Sequence, residues 1–332
     1  MNTPGKWLLG LLLIMVIVSP FTPDPAHSWV KVYDFFRYVL LFFIVVSVLT
    51  TFRQYKLFIA ALLFCTFYLS VLAHHYFSGV RLDGVGLPDA ADANMLAALF
   101  VLMIPLYVVL VATETGWQRW LALLPLPFVM NAFAMCASRG AFVGLAMQGV
   151  VAMWLLRKKI GLGKTLICCL IVASAMFYLM DDKYRDRILG LSDALDAENR
   201  VAASAGRWEI WTYGKEMAYD YPLGAGGDGF MKLSSYYIPE YRLTGGIRAA
   251  HNTWLTVWVE QGVIGLVVFS GFLWAQFRLL TRSRRLLLYG QFNQELPHID
   301  KLVYHTYALQ ISLAGFWAAA FFIDRVYFEG IY

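Results

Sequence analysis

Long apolar runs separated by short polar breaks fill almost the whole chain, and a single polar stretch, 181–252, interrupts them. Runs long enough to cross a hydrocarbon core of ~30 Å lie near 5–21, 35–51, 57–73, 95–112, 119–136, 141–156, 164–180, 263–280 and 304–323. The pattern predicts an all-α, polytopic integral membrane protein of about nine transmembrane helices. Residues 1–332 read as one membrane domain, with 181–252 forming a loop subdomain inside it. The first run, which follows Lys6, also has the look of a signal peptide, but only Pro20, Pro23 and Pro25 follow it where a small-x-small cleavage site belongs.

Inside the polar stretch, 207–221 predicts an amphipathic helix closed by Pro222, which turns its preceding residue out of helical geometry. Ile210, Tyr213, Met217 and Tyr221 form one stripe and Glu209, Thr212, Glu216 and Asp220 another, while Trp208 and Trp211 suit a helix at the headgroup level. The glycine run from Gly224 to Gly229 follows. No strand precedes it, so a nucleotide-binding reading has little behind it, and close backbone packing against a ligand or a helix is the better use. Trp254 to Leu280 is too long for one ordinary span, and Gly262 offers the break. Asn252 to Gln261 then reads as an interfacial helix and Val263 to Leu280 as the span, with Glu260 near the outer boundary.

At 60% hydrophobic and 15% charged residues, with a mean hydropathy of +0.59, the chain is too apolar to cover itself in water. Its net charge of +5 is a matter of topology. An N-terminus in the cytoplasm places Lys6, Arg53, Lys56, Arg119, Arg157, Lys158, Lys159, Lys164, Arg278, Arg282, Arg284, Arg285 and Lys301 inside. Only Lys31, Arg37, Arg81 and Arg139 stay on short outer connections, and 181–252 is outside. Nucleic acid is not implied. Cys65, Cys136, Cys168 and Cys169 sit in or at the ends of spans and behave as small hydrophobes. Asp181, Asp182, Asp193 and Asp196 have no metal-ligand spacing and read as a solvated face.

Charged groups kept beside a bilayer are candidates for function. Arg139, in the turn Ser138-Arg139-Gly140, is either a snorkelling anchor or a guanidinium matched to phosphate oxygens. Arg207 opens the amphipathic helix, where the helix dipole gives a cation nothing. His251 is either a boundary residue or a general base for a hydroxyl near neutral pH. Glu260 either orients that imidazole, acts as a base, or is a solvated carboxylate; Arg81 is a further phosphate contact or a plain loop charge.

Several of these pieces, in this order and spacing, resemble the O-antigen ligase and O-antigen polymerase superfamily. They are Ser138-Arg139-Gly140 ahead of a span; Gly206-Arg207-Trp208-x-x-Trp211; Tyr221-Pro222-Leu223-Gly224-x-Gly226; His251-Asn252-Thr253-Trp254; and Glu260-x-Gly262-x-x-Gly265-Leu266. Arg81 to Asn94 leading into Met95 is similar to that family's pattern ahead of a central span, and the resemblance covers roughly 30–330. It implies a GT-C-like membrane glycosyltransferase at the periplasmic face of the bacterial inner membrane. Such an enzyme moves a glycan from an undecaprenyl-pyrophosphate-linked donor to the hydroxyl of an acceptor glycolipid, glycan or protein, with neither metal nor cofactor. The family's essential arginines correspond to Arg139 and Arg207 and its essential histidine to His251. A ligase is the reading taken. A repeat-unit polymerase and a protein O-oligosaccharyltransferase share the donor chemistry, and a membrane transporter is the alternative from another class. Members have more spans than this chain, and Asp324 to Tyr332 resemble the outer turn that precedes a further one.

Overall fold

Where water is excluded, a backbone satisfies its own N–H and C=O groups most simply by coiling into helices. The computed structural model describes residues 3–79, 82, 84–85, 92–157, 159, 161, 163–164, 166–167, 170, 174, 197–290 and 298–323, with side chains omitted over 197–206. Among them are no strands, and the one bridge outside helices joins Thr244 to Ile247. Arg81, the cysteines Cys168 and Cys169, most of the 164–180 run, the aspartates at 181–196 and Asp324 to Tyr332 lie outside the described residues.

In chain order the helices are α1 (Thr3–Val18), α2 (Pro25–Val48), α3 (Phe52–Tyr76), α4 (Ala93–Thr113), α5 (Gly116–Leu123), α6 (Pro125–Met135), α7 (Arg139–Leu156), α8 (Ala197–Asp220), α9 (Gly229–Tyr237), α10 (Thr253–Tyr289) and α11 (Ile299–Ala319). Three short 3-10 turns, Ser19–Phe21, Glu240–Arg242 and Ala320–Phe322, join or end them. Among the described residues five helices are long and apolar enough to cross a membrane: Thr3–Phe21, Phe52–Tyr76, Ala93–Thr113, Arg139–Leu156 and Thr253–Tyr289. Side chains as apolar as Leu57, Phe64, Trp154 and Val267 stand exposed, an arrangement suited to lipid and costly in water. This is an all-helical polytopic membrane protein.

The 119–136 run departs from the single span expected of it. It is divided at Leu124 into α5 and α6, because Pro125 has no N–H for the helical ladder and its ring crowds the carbonyl one turn back. The region around Gly262 follows the expected break, with φ 67° and ψ −175° inside α10.

The chain divides into two compact units. One consists of 55–195 and 280–319. Its α4 is buried on nearly every face, and α5, α6, α7 and α11 pack around it. α7 and α11 meet almost backbone to backbone: a Cβ at Gly144 would stand 2.6 Å from the carbonyl oxygen of Gly315. Gln148 of α7, buried, donates through Nε2 to the Val101 carbonyl of α4. Beyond the C-terminal end of α4, Glu114 is 5% exposed and lies 2.9 Å from both Lys56 and Lys301. Burial pushes its carboxyl up, but the two ammonium groups more than offset this and hold it below the usual carboxylate range.

The second unit consists of 1–54, 196–279 and 320–332. In it Trp7 of α1 fills the notch over Gly271 of α10, where a Cβ would come within 2.6 Å of the indole. A buried core gathers Ile210 and Met217 of α8, Phe230 and Leu233 of α9, and Leu255 and Val259 of α10. Gly144→Leu forces α7 and α11 apart and should destabilise the first unit by about 1–3 kcal/mol. Gly10→Ala, whose Cβ would make an ordinary 3.6 Å contact with Val268, should leave the melting temperature in detergent unchanged. Equal melting of the two variants would show that the α7–α11 approach is not tight.

Candidate functional site

The break in α10 organises the second unit. In an unbroken helix the carbonyls of Val259 and Glu260 would accept from the N–H groups of Val263 and Ile264. Gly262 turns the chain away, and these carbonyls instead accept from Ala225 N at 2.8 Å and Gly226 N at 2.9 Å. Val263 N in turn donates to the Pro222 carbonyl at 3.3 Å. The glycine run is therefore a loop laid along the helix break. A Cβ at Gly224 would stand 2.5 Å from the Glu260 oxygen, and one at Gly226 2.2 Å from Ser28 Oγ. Both glycines also have positive φ, at 109° and 84°, so no other residue fits without strain.

The same loop ends at Asp228, itself left-handed at φ 54°. Its carboxylate lies 2.9 Å from His27 Nε2 and 3.0 Å from Lys31 Nζ, both on α2. Burial raises the Asp228 carboxyl, but the hydrogen bonds and charges of His27 and Lys31 outweigh burial and keep it below its ordinary value. Burial likewise lowers Lys31, while Asp228, Asp34 and Glu260 carry its pKa above the ordinary lysine value. Asp24 caps α2 by accepting from His27 N at 3.1 Å and also receives Lys232 of α9. Sequence reading missed this cluster. An Asp before Pro25 does signal a helix start, but no local pattern pairs residues 201 positions apart.

Of the expected site residues, Arg207, His251 and Glu260 belong to this unit, and Arg139 belongs to the other. Arg207 does not open its helix as expected. α8 starts at Ala197, so the helix dipole, which acts within the first turn, says little about this cation. Arg207 is half-buried. One turn on, Trp211 donates through its indole N–H to the Ala250 carbonyl at 2.9 Å, which turns this stripe of α8 toward the backbone before His251. His251 is half-buried and left-handed at φ 48°. The next residue, Asn252, caps α10 by accepting from Leu255 N at 3.2 Å. Glu260 is 2% exposed and lies in the electrostatic reach of Lys31. Seven helical positions, a rise of roughly 10 Å, separate it from Thr253.

In the other unit, Arg139 is exposed in the first turn of α7. Ser138 caps that helix, accepting from Ala141 N at 3.4 Å, after a left-handed Ala137 at φ 47°. Among the described residues no three His, Cys, Asp or Glu side chains come together as metal ligands would.

Residues 126–270 match the O-antigen ligase family. This match supports membership of the O-antigen ligase and polymerase superfamily. No curated protein matches the chain significantly. The O-antigen ligase segment takes in Arg139, Arg207, His251, Glu260 and the whole glycine loop, while Arg81 falls ahead of it.

A carboxylate held low by its partners adds stability above the pKa it has when unfolded, near 4. Asp228 should therefore stabilise its unit at neutral pH, and that contribution should vanish as the pH falls through its depressed folded value. Asp228→Asn should lower the melting temperature at pH 7 and flatten the loss seen below about pH 4. A parallel pH profile for the variant would mean that the cluster contributes nothing.

Proposed function

We propose that this protein transfers a glycan from an undecaprenyl-pyrophosphate-linked donor to an acceptor hydroxyl, as an O-antigen ligase does. The observation that supports the reading is that the segment matching the family contains Arg139, Arg207, His251 and the buried Glu260. Arg139 and Arg207 bind the pyrophosphate through planar guanidinium forks and neutralise the charge that grows on it as it leaves. Arg81 is a further phosphate contact. His251 takes the proton of the attacking hydroxyl. The oxygen bonds to the anomeric carbon, the bond from that carbon to the phosphate oxygen breaks, and polyprenyl pyrophosphate departs. Glu260, buried on the helix that follows, orients that imidazole or serves as a base itself.

In this reading the chain is one membrane domain of about nine spans in the bacterial inner membrane, with 181–252 as a periplasmic subdomain. Arg207 and His251, which belong to the same unit, act in this reading at the periplasmic face, where departure and attack occur at one carbon. No divalent metal takes part. Nothing now favours a transporter, whose polar groups belong at mid-membrane.

Purified protein with donor and acceptor tests the chemistry. Arg207→Ala and His251→Ala should each reduce transfer by roughly a hundredfold or more. His251→Ala should lower turnover more than donor binding, because a base acts in the transition state. Arg139→Lys keeps the charge but loses the fork and should still impair transfer. Full activity of all three variants would refute the assignment, as would loss of transfer in EDTA restored by magnesium. For topology, a cysteine in place of the exposed Ser235, in a background without other cysteines, should be labelled from outside intact spheroplasts. Labelling only after lysis would reverse the orientation.

A further inference from the structure

Tyr241, in the turn Glu240–Arg242, is 74% exposed, yet its ring is fixed in place. Its hydroxyl donates to Glu209 Oε1 of α8 at 3.2 Å, and the Arg242 guanidinium lies 5.2 Å from its ring centroid. The same Glu209 carboxylate pairs through Oε2 with Arg242 at 2.7 Å and accepts from the Tyr213 hydroxyl at 3.5 Å. Farther along α8, Asp220 accepts from the Tyr237 hydroxyl at 2.6 Å, and Tyr236 beside it is 84% exposed. Glu209, Tyr213, Glu216 and Asp220 recur at helical spacing and share one face of α8.

Ordering an exposed side chain costs conformational entropy, and Tyr241 recovers little of it through burial. What the ordering achieves is a rigid aromatic face turned outward among carboxylates. A preorganised aromatic of this kind binds a flat, partly apolar partner at low further entropic cost. Sugar rings have that form: their C–H faces stack on phenol rings, and their hydroxyls donate to carboxylates. We infer that this surface binds the sugar chain of the lipid-linked donor.

The charges favour this occupant over the bilayer. Aromatic side chains that dock at a membrane are accompanied by Lys and Arg free to attract anionic headgroups, whereas here Arg242 is paired with Glu209, and Glu216 and Asp220 on the same face of α8 repel such headgroups. The donor is preferred to the acceptor by position. The surface begins two residues after Arg207, and the donor's sugars are covalently joined to the pyrophosphate that this arginine is proposed to hold. A chain of several rings is long enough to pass around a helix ~10 Å across. The inference rests on the proposed transfer reaction.

The experiment uses the full-length protein in nanodiscs and, as probe, the host's lipid-linked glycan released from its pyrophosphate by mild acid. Wild-type protein should bind this soluble glycan, and Tyr241→Ala should weaken binding roughly tenfold. Tyr241→Phe keeps the ring but loses the bond to Glu209 that orders it, and should bind more tightly than Tyr241→Ala and less tightly than wild type. Should Tyr241→Ala fail to fold, the wild-type protein gives a second readout: released glycan should protect Tyr241 from iodination. No binding, or equal binding by wild type and Tyr241→Ala, would overturn the inference. Absence of transfer from intact donor would overturn the enzyme reading instead. Arg207→Ala should abolish transfer while leaving the released glycan bound, so the two failures are separable.

Discussion

The second unit rests on a broken helix that must place its backbone hydrogen bonds elsewhere. Unsatisfied carbonyls beside apolar surroundings are costly, and Gly262 releases two of them in the middle of α10. Their partners are the N–H groups of Ala225 and Gly226. That requirement fixes the path of 222–228, and with it the start of α9 and the place of Asp228. Asp228 in turn ties α2 to the loop through His27 and Lys31. The break thus serves as the joint on which the unit's helices are assembled, and the candidate residues Glu260 and His251 lie on either side of its first half.

Both units treat buried acid in the same way. Glu114 follows the negative end of α4, the wrong end for an anion, and has a lysine on each carboxylate oxygen. Asp228 has two basic partners on a single oxygen. In each case desolvation works against the charged form, and two cations reverse it. One partner alone would leave half of a costly buried charge uncompensated.

Features governed by local chemistry were legible in the sequence. Gly262 broke its helix where a run too long for one span required it, Pro222 closed α8, and the glycine run proved to be a backbone packing surface. What the sequence hid depends on partners far away. Nothing near His27 announces Asp228, and nothing near Gly144 announces the backbone of Gly315. Arg207 was misread as a helix start because the ten residues ahead of it have no apolar stripe to betray helicity. The 119–136 run was read by hydropathy alone, which is blind to the missing N–H of Pro125. As for the candidate site, composition and order pointed to its residues, but their roles come from chemistry and family likeness. Arg139 belongs to one unit and Arg207 to the other.

The pairing of α2 with the glycine loop has a consequence for how the protein is made. His27 and Lys31 leave the ribosome long before Asp228, and Trp7 long before Gly271. The first two helices of the unit must therefore wait for these partners while residues 55–195 of the other unit are synthesised between them. Contacts so distant in sequence form late and slowly. During that interval the Lys31 ammonium, later paired with Asp228, stays solvated near the bilayer surface. A residue that ends as one partner of a half-buried ion pair thus begins as a solvated charge, and the two states are separated only by the time the ribosome needs to reach Asp228.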